Sequence, residues 1–176
     1  MFKKMIHNFR CRLQNIGTIK TLCLQAEKYA NEEGQKEAGA EHFVLAAIEL
    51  PDGTARKAFE RMQADPNSFR AAINQQYQDS LRNIGVDLLT NNAINNTTLP
   101  MPSGKGLYRA QHSAQILMQN MAKQLKNSSV PLLVGANVII AATQAQHGVV
   151  IRALQSMGVS PVSLAAAAKA EITTAI

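Results

Sequence analysis

The chain of 176 residues contains no tryptophan, and aromatic residues make up only 5% of it. Alternation of apolar and polar residues never persists for more than a few positions, which argues against a half-buried β-sheet. Residues that favour helix, such as alanine, leucine, glutamine and methionine, are abundant. With 46% hydrophobic residues, the chain can form one core or two small cores packed together. These features predict an all-α protein.

Cysteine is scarce, with Cys11 and Cys23 the two present. In an unbroken helix they would lie about 18 Å apart, which is too far for a disulfide. Two isolated thiols are typical of packing residues in a reducing cytoplasm. The longest apolar run is shorter than the roughly 20 residues of a membrane span, and no apolar signal segment follows the basic start. We therefore expect a cytoplasmic protein.

Motifs of catalysis and of metal binding are missing. Gly104–Gly106 differs from a phosphate-binding loop, because no Ser or Thr follows the lysine and Leu99 occupies the place of the first glycine. The four histidines are scattered without metal-binding spacing, and no nucleophile elbow occurs. We therefore predict a protein without enzymatic activity that binds no cofactor, nucleotide or metal.

A sequence repeat organises most of the chain. Gly39–Ile48 has an altered copy in Gly135–Thr143, and each copy is a glycine, a short polar opening and an apolar run with Ala-Ala near its end. Five pairs of similar residues then lie 95 positions apart, namely Gly53 and Gly148, Phe59 and Leu154, Met62 and Met157, Pro66 and Pro161, and Phe69 and Leu164. A period of this length indicates one helical unit that occurs twice.

The pattern divides the chain into a basic arm at 1–17, a first unit at 18–84, a polar linker at 85–106 and a second unit at 107–176. Gly17-Thr18 is predicted to separate the arm from the first unit, with Thr18 as a helix cap. Asp65-Pro66 and Ser160-Pro161 mark the same helix start in both units, because each pair is a capping residue followed by proline. The predicted helices of the two units cover about 18–34, 40–50, 53–63 and 66–83, then 107–128, 135–146, 148–158 and 161–174.

The arm combines apolar periodicity with positive charge. Residues 2–16 carry an apolar residue at every third or fourth position, at Phe2, Met5, Ile6, Phe9, Leu13 and Ile16. Residues 1–20 hold five bases and no acid, whereas residues 21–87 carry a net charge of −4 and residues 88–176 a net charge of +5. We expect this helix to pack on the body of the domain, with a membrane surface and a partner or nucleic acid as alternatives. The candidate contact residues of the arm are Phe2, Lys3, Lys4, Phe9, Arg10 and Arg12.

Glu41-His42 is the polar pair of interest, since it lies in the first turn of a predicted helix, where the helix dipole favours a carboxylate. In one interpretation Glu41 caps backbone amides and His42 makes one buried hydrogen bond. In the other, Glu41 faces a groove and accepts a cationic group from a bound peptide. Alignment of the two glycine-led copies places Asn137-Val138 opposite this pair. Glu41, His42 and Asn137 are therefore the candidate peptide- or protein-binding residues.

The repeated motifs resemble those of a known family. Gly39–Ala46 is similar to the G-T-E-H-L-L-L-A/G motif in the N-terminal domain of Clp-family unfoldases, and Gly135–Ala141 is similar to the G-A-N-V-L-V-A of the second repeat of the ClpA type. The resemblance covers roughly residues 18–172. It implies an eight-helix fold with pseudo-twofold symmetry and a non-catalytic domain that recruits substrates and adaptor proteins to an ATPase ring.

The resemblance also sets the expected partners, which are peptides, unfolded substrates or adaptor proteins, with a Clp ATPase as a further candidate. The sequence holds no Walker motif, so the chain is expected to be either a stand-alone relative of the family or an excised piece. Met1 and the arm at 1–17, which the family motif lacks, favour a stand-alone relative. ClpC relatives bind phosphoarginine through a glutamate in each E-H motif and a threonine at the start of each repeat. Of these residues only Glu41 is matched, so phosphoarginine binding is not predicted.

The alternative function is a nucleic-acid-binding regulator that uses the basic arm and the basic second unit. Contacts with phosphates would then make binding strongly salt-dependent. No helix-turn-helix pattern supports this alternative, and aromatic residues for base stacking are few.

Overall fold

The computed structural model describes residues 2–83, 110–128 and 132–174, and within them all side chains except those of residues 2–10 and 12. This part of the chain is all-α, as predicted, with one isolated bridge between Ala38 and Ala110. Its helices are α1 (Phe2–Glu32), α2 (Ala40–Ile48), α3 (Thr54–Arg61), α4 (Ser68–Asn83), α5 (His112–Asn127), α6 (Gly135–Thr143), α7 (Val149–Ser156) and α8 (Pro161–Thr174). The predicted linker at 85–106 lies outside the described residues, and its assignment stays a prediction.

Two of the predicted capping residues, Asp65 and Ser160, accept hydrogen bonds from backbone amides at the starts of α4 and α8, although α4 begins at Ser68 rather than at residue 66. The Asp65 carboxylate accepts a hydrogen bond from the backbone N–H of Asn67 at 2.9 Å, just ahead of α4. The Ser160 hydroxyl accepts one from the N–H of Ser163 at 3.4 Å, in the first turn of α8. These contacts satisfy amide groups that a helix start leaves without partners.

Helix α1 differs from the prediction, because it continues through Gly17-Thr18 from Phe2 to Glu32. The Thr18 hydroxyl does not start a new helix but bonds back to the carbonyl of Gln14 at 3.1 Å. Glycine destabilises a helix interior by only about 1 kcal/mol. The helix-forming residues on both sides of Gly17 and the packing of the second half of α1 on the core offset this loss. The predicted break is therefore wrong, and the arm is the first half of a single helix about 46 Å long.

The two sets of helices, α1–α4 and α5–α8, form one intertwined core. Helices α2 and α6 lie at its centre and pack against each other, and every residue of α2 is buried. Helix α3 packs on α8, and α7 packs correspondingly on α4. Likewise α3 contacts α6 and α7 contacts α2. This exchange of corresponding contacts is the pseudo-twofold relation that the duplication implies.

The structure fixes the register between the two copies at 95 residues throughout. Gly39 precedes α2 and Val134 precedes α6, so each is the N-cap of its helix. His42 and Asn137 are the third residues of these helices, and both bond back to the cap. The glycine-led alignment is therefore wrong by one residue. Asn137 corresponds to His42, and Glu41 corresponds to Ala136.

Among the described residues, no single helix combines the length and the apolar character needed to cross a membrane. Helices α7 and α8 pass this test together by length and composition, but a bend of 96° separates them.

Candidate functional site

The start of α2 is held by hydrogen bonds to the imidazole of His42, which is completely buried. The backbone N–H of Gly39 donates to Nδ1 of His42 at 2.8 Å. Since Nδ1 accepts, we assign the ring proton to Nε2, which lies 3.1 Å from a carboxylate oxygen of Glu33, the residue after the end of α1. His42 thus joins the cap of α2 to the turn that follows α1, and makes two contacts where the structural interpretation predicts one.

Glu41 is 2% exposed, and its Oε1 accepts a hydrogen bond from the Tyr77 hydroxyl at 2.6 Å. Burial, followed by this hydrogen bond, raises the pKa of Tyr77 above its ordinary value. A Cβ atom at Gly39 would lie only 2.2 Å from the same Oε1. Glycine at this position therefore leaves room for the Glu41 carboxylate over the helix start.

The second repeat keeps the cap and lacks the carboxylate. The side-chain oxygen of Asn137 accepts a hydrogen bond from the N–H of Val134 at 3.0 Å, the counterpart of the bond between Gly39 and His42. Ala136 replaces Glu41 and is completely buried. Asn137 itself is 5% exposed, so its described contact is a helix cap, and a role in peptide binding stays a prediction.

The N-terminus of α6 is closed by two side chains from the first repeat, Asp52 and Thr54. The N–H of Gly135 donates to Oδ2 of Asp52 at 3.1 Å, and the N–H of Ala136 donates to the Thr54 hydroxyl at 2.8 Å. Asp52 also accepts from the backbone N–H of Thr54 at 2.9 Å. One carboxylate thus serves the starts of both α3 and α6.

At the corresponding place, the N-terminus of α2, the N–H of Ala40 is instead bonded to Ser113 of α5. The register of 95 residues puts His147 where the first repeat has Asp52, and Val149 where it has Thr54. Ala145 likewise takes the place of Leu50. No described hydrogen bond joins these residues to α2, and a cavity of about 200 Å³ lies between them. We call this cavity the inter-repeat cleft; it is lined by Ala40, Glu41, His112, Ser113, Ile116, Leu117, Ala141, Ala142, Ala145, His147, Gly148, Val149 and Val150.

The inter-repeat cleft has apolar walls and a polar rim. Its walls come mainly from α5 and α6, and Ile116 is 38% exposed at its edge. The Ser113 hydroxyl on the rim accepts a hydrogen bond from the N–H of Ala40 at 3.2 Å. Glu41 contributes the one carboxylate of the lining. The cleft is smaller than pockets for small-molecule ligands, which measure about 300–1,000 Å³, and its size suits a single amino-acid side chain.

Of the predicted binding residues, Glu41 lines this cleft, whereas His42 and Asn137 are not part of its lining and bond to the caps of the two central helices. His147, Ala145 and Ser113 were not predicted from the sequence. The signal for two of them was present, because a residue-by-residue comparison at the 95-residue offset shows Asp52 replaced by His147 and Leu50 by Ala145.

The predicted arm contacts Phe2, Lys3, Lys4, Phe9, Arg10 and Arg12 belong to α1, but their side chains are outside what the structure describes, so their contacts stay predictions. The next apolar residues of that face are described. Leu13 is 55% and Ile16 is 64% exposed. At these two positions the expected packing of the apolar face on the domain body is wrong. Cys11 is buried instead, and Asn15 accepts a hydrogen bond from the N–H of Leu133 at 2.7 Å.

Both cysteines lie on α1, where Cys11 is buried and Cys23 is half-buried. Within the described parts of the chain, no group of three or more His, Cys, Asp or Glu side chains is placed to hold a metal ion.

Comparison with known proteins agrees with this architecture. Residues 19–98 match the family model of the Clp repeat (R) N-terminal domain. The match begins inside α1, covers α2–α4 and takes in a little under half of the chain. A search of curated proteins found no match. The matched family, the all-α fold and the duplicated capping motif agree, and the chain therefore carries a Clp-type N-terminal domain.

Proposed function

We propose that the protein is a non-catalytic module that binds peptide segments of other proteins in the inter-repeat cleft. Clp N-terminal domains are in general modules for the binding of substrates and adaptor proteins. The observation that carries the proposal is the asymmetry between two corresponding places. At the start of α6, Asp52 and Thr54 bond to the helix. At the start of α2, Ser113 of α5 takes the N–H of Ala40, and a cavity lies beside the counterparts of Asp52 and Thr54.

The lining of the cleft indicates the kind of peptide it accepts. Apolar walls stabilise a bound apolar side chain by removing its surface from water, at roughly 25 cal/mol per Å². The Glu41 carboxylate beside these walls, which is buried, favours a cationic group nearby. We therefore propose peptides in which a small or medium apolar residue is adjacent to lysine, arginine or a free N-terminal amine.

An array of short overlapping peptides from unfolded model proteins tests the proposal. The variant Ala145→Phe should remove most binding, because Ala145 lines the cleft and a larger side chain there occupies it. The larger Leu50 at the corresponding position shows that the fold accommodates such a residue. The matched control is Ala166→Phe on the exposed side of α8, which should bind as the wild type does. Equal binding by both variants, or no peptide above background with the wild type, would contradict the proposal.

A second variant tests the contribution of the Glu41 charge separately from that of the apolar walls of the cleft. Glu41→Gln keeps an acceptor for the Tyr77 hydroxyl and removes the negative charge. We expect it to lose preference for peptides with lysine or arginine while it retains binding of neutral apolar peptides. A preference for cationic peptides that is the same in wild type and variant would contradict the role of Glu41.

The physiological role proposed for this binding is the recruitment of substrates or adaptor proteins to a Clp ATPase in the cytoplasm, and hence regulation of proteolysis. Co-purification of the tagged protein from its native host, with wild type and Ala145→Phe compared side by side, tests this role. A Clp subunit or an adaptor that is recovered with the wild type and lost with the variant is the expected result. If neither a Clp subunit nor an adaptor is recovered, the proposed physiological role is contradicted. The peptide array would still test separately whether the cleft binds peptides.

A further inference from the structure

Helix α1 has two unlike faces in its described part. Leu22 and Ala26 on one face are completely buried and belong to the hydrophobic core. Leu13, Ile16 and Leu24 are 55%, 64% and 56% exposed. Leu13 and Leu22 are nine residues apart, which is two and a half turns at 3.6 residues per turn. They therefore lie on opposite sides of the helix.

The exposed residues form a row that runs along the helix. We define the outer face of α1 by Leu13, Ile16, Lys20 and Leu24, which recur at three- and four-residue steps and are all exposed. The sequence continues the same spacing toward the start of α1 with apolar residues at positions 2, 6 and 9. Single exposed apolar residues are ordinary, but a continuous row marks an interaction surface.

Positive charge accompanies the outer face. Residues 1–20 include five bases and no acid. At 100° per residue, position 12 falls at one margin of the apolar row and positions 3 and 10 fall at the other, and all three are lysine or arginine. Apolar residues bordered by bases on both sides are the pattern of helices that lie in a membrane interface, where long basic side chains reach the phosphates of the headgroups.

We propose that the outer face of α1 docks on the surface of an anionic phospholipid bilayer, with the helix parallel to the surface and the domain body on its water side. In the described structure α1 has its main helix contact with α2, and Leu13, Ile16 and Leu24 on its opposite side are exposed. A helix that already has one face against its own domain presents only the other face, which suits a flat surface better than a deep protein groove. This proposal is independent of peptide binding in the inter-repeat cleft.

Charge argues against a second copy of the chain as the occupant. Two outer faces packed together would place the five bases of one residue 1–20 segment alongside the five of the other. Like charges closer than about one Debye length, roughly 8 Å at physiological ionic strength, repel each other with little screening. An anionic bilayer instead attracts each of these bases. Nucleic acid would neutralise the charge but would leave the apolar row in water.

Co-sedimentation of the full chain with lipid vesicles tests the proposal. Vesicles of phosphatidylcholine with about one third phosphatidylglycerol should bind the protein, vesicles of phosphatidylcholine alone should bind it weakly, and about 1 M salt should reduce binding. The double variant Leu13→Gln/Ile16→Gln should weaken binding at least about tenfold, because two large apolar side chains no longer enter the interface. The matched control is Val162→Gln, which changes an apolar residue on α8 that is 80% exposed and should bind as the wild type does.

Both altered residues of the double variant are exposed, so its circular dichroism spectrum and melting temperature should match those of the wild type. Three results would overturn the proposal: no binding to anionic vesicles, equal binding to neutral and anionic vesicles, or undiminished binding by the double variant. Self-association of the wild type that the double variant abolishes, without any vesicle binding, would assign the outer face to a second copy instead.

Discussion

The side chains that join the two repeats at the start of α6 allow a quantitative prediction. Asp52 accepts hydrogen bonds from the N–H of Thr54 at 2.9 Å, from the Thr54 hydroxyl at 2.5 Å and from the N–H of Gly135 at 3.1 Å. Asp52→Ala removes the acceptor for all three donors. The change affects α3 of the first repeat and α6 of the second at once, so it tests whether the repeats are coupled here.

The expected loss follows from the kind of bond involved. Replacement of an N-cap residue by alanine destabilises a protein by about 0.5–2 kcal/mol. Asp52 is itself exposed, so water can replace part of what is lost, but it caps two helices. We expect Asp52→Ala to lower the free energy of unfolding by about 2 kcal/mol. Thr54→Val should lower it by a similar amount, because it leaves the buried N–H of Ala136 without its acceptor.

Urea unfolding followed by circular dichroism at 222 nm provides the measurement. With a slope of about 2 kcal/mol per molar urea, the midpoint for Asp52→Ala should fall by about 1 M. The matched control is Asp65→Ala, which removes an equally exposed cap that serves α4 alone and should shift the midpoint by about half as much. The double variant of Asp52 and Thr54 should lose less than the sum of the single losses, since the two residues share one network. An Asp52→Ala midpoint no lower than that of Asp65→Ala, or strict additivity, would refute the coupling.

Two further predictions concern glycines and a tyrosine. Gly17→Ala should stabilise the protein by about 0.5–1 kcal/mol, because the residue is inside a helix and nothing lies within 4 Å of the added Cβ. Gly135→Ala should destabilise it by about 1–3 kcal/mol, because its Cβ would lie 2.9 Å from the carbonyl oxygen of Ala47. The melting temperatures of the two variants should therefore move in opposite directions, and a lower melting temperature for Gly17→Ala would argue against a continuous α1. Tyr77→Phe should lower the free energy of unfolding at pH 7 by about 1–3 kcal/mol, since Glu41 loses its hydrogen-bond donor. Because burial and Glu41 raise the pKa of Tyr77 above the ordinary value of 10.0, the stability that Tyr77 contributes is fully present below pH 10 and decreases as the pH rises above it. Unfolding measured between pH 8 and pH 11 should therefore show a steeper loss of stability for wild type than for Tyr77→Phe, and parallel curves would contradict the assignment.

The sequence predicted the approximate positions of the helices of the two units because the signals for them are local. Apolar periodicity, the caps at Asp65 and Ser160 and the stop at Gly34 each depend on residues within one or two turns. Gly34 has a φ of +71°, and the N–H of Gln35 bonds back to the carbonyl of Ala30 at 2.8 Å. A helix end of this kind is encoded by a few adjacent residues.

Two features required the folded structure, because they depend on the competition between local and distant interactions. Gly17 is a helix-breaking signal, but the residues on both sides of it favour helix and α1 packs along α2, so the weak local signal does not prevail. The register between repeats was ambiguous because both copies contain glycine near the helix start. Gly39 is an N-cap, whereas Gly135 is the first helical residue, and only the bonds of His42 and Asn137 to their caps show which positions correspond.

The 95-residue register between the repeats changes which differences between them are informative about function. At an offset of 95 residues the cap residues His42 and Asn137 are equivalent and do the same work in both repeats, so their difference in residue type carries little information about binding. The informative differences lie where each repeat meets the other. There Asp52 and Thr54 bond to the start of α6, whereas His147, Val149 and Ala145 line a cavity beside the start of α2. Duplicated units that need only to pack have no reason to differ at this junction. The inter-repeat cleft beside Glu41 is therefore the first site at which we propose that a ligand should be sought.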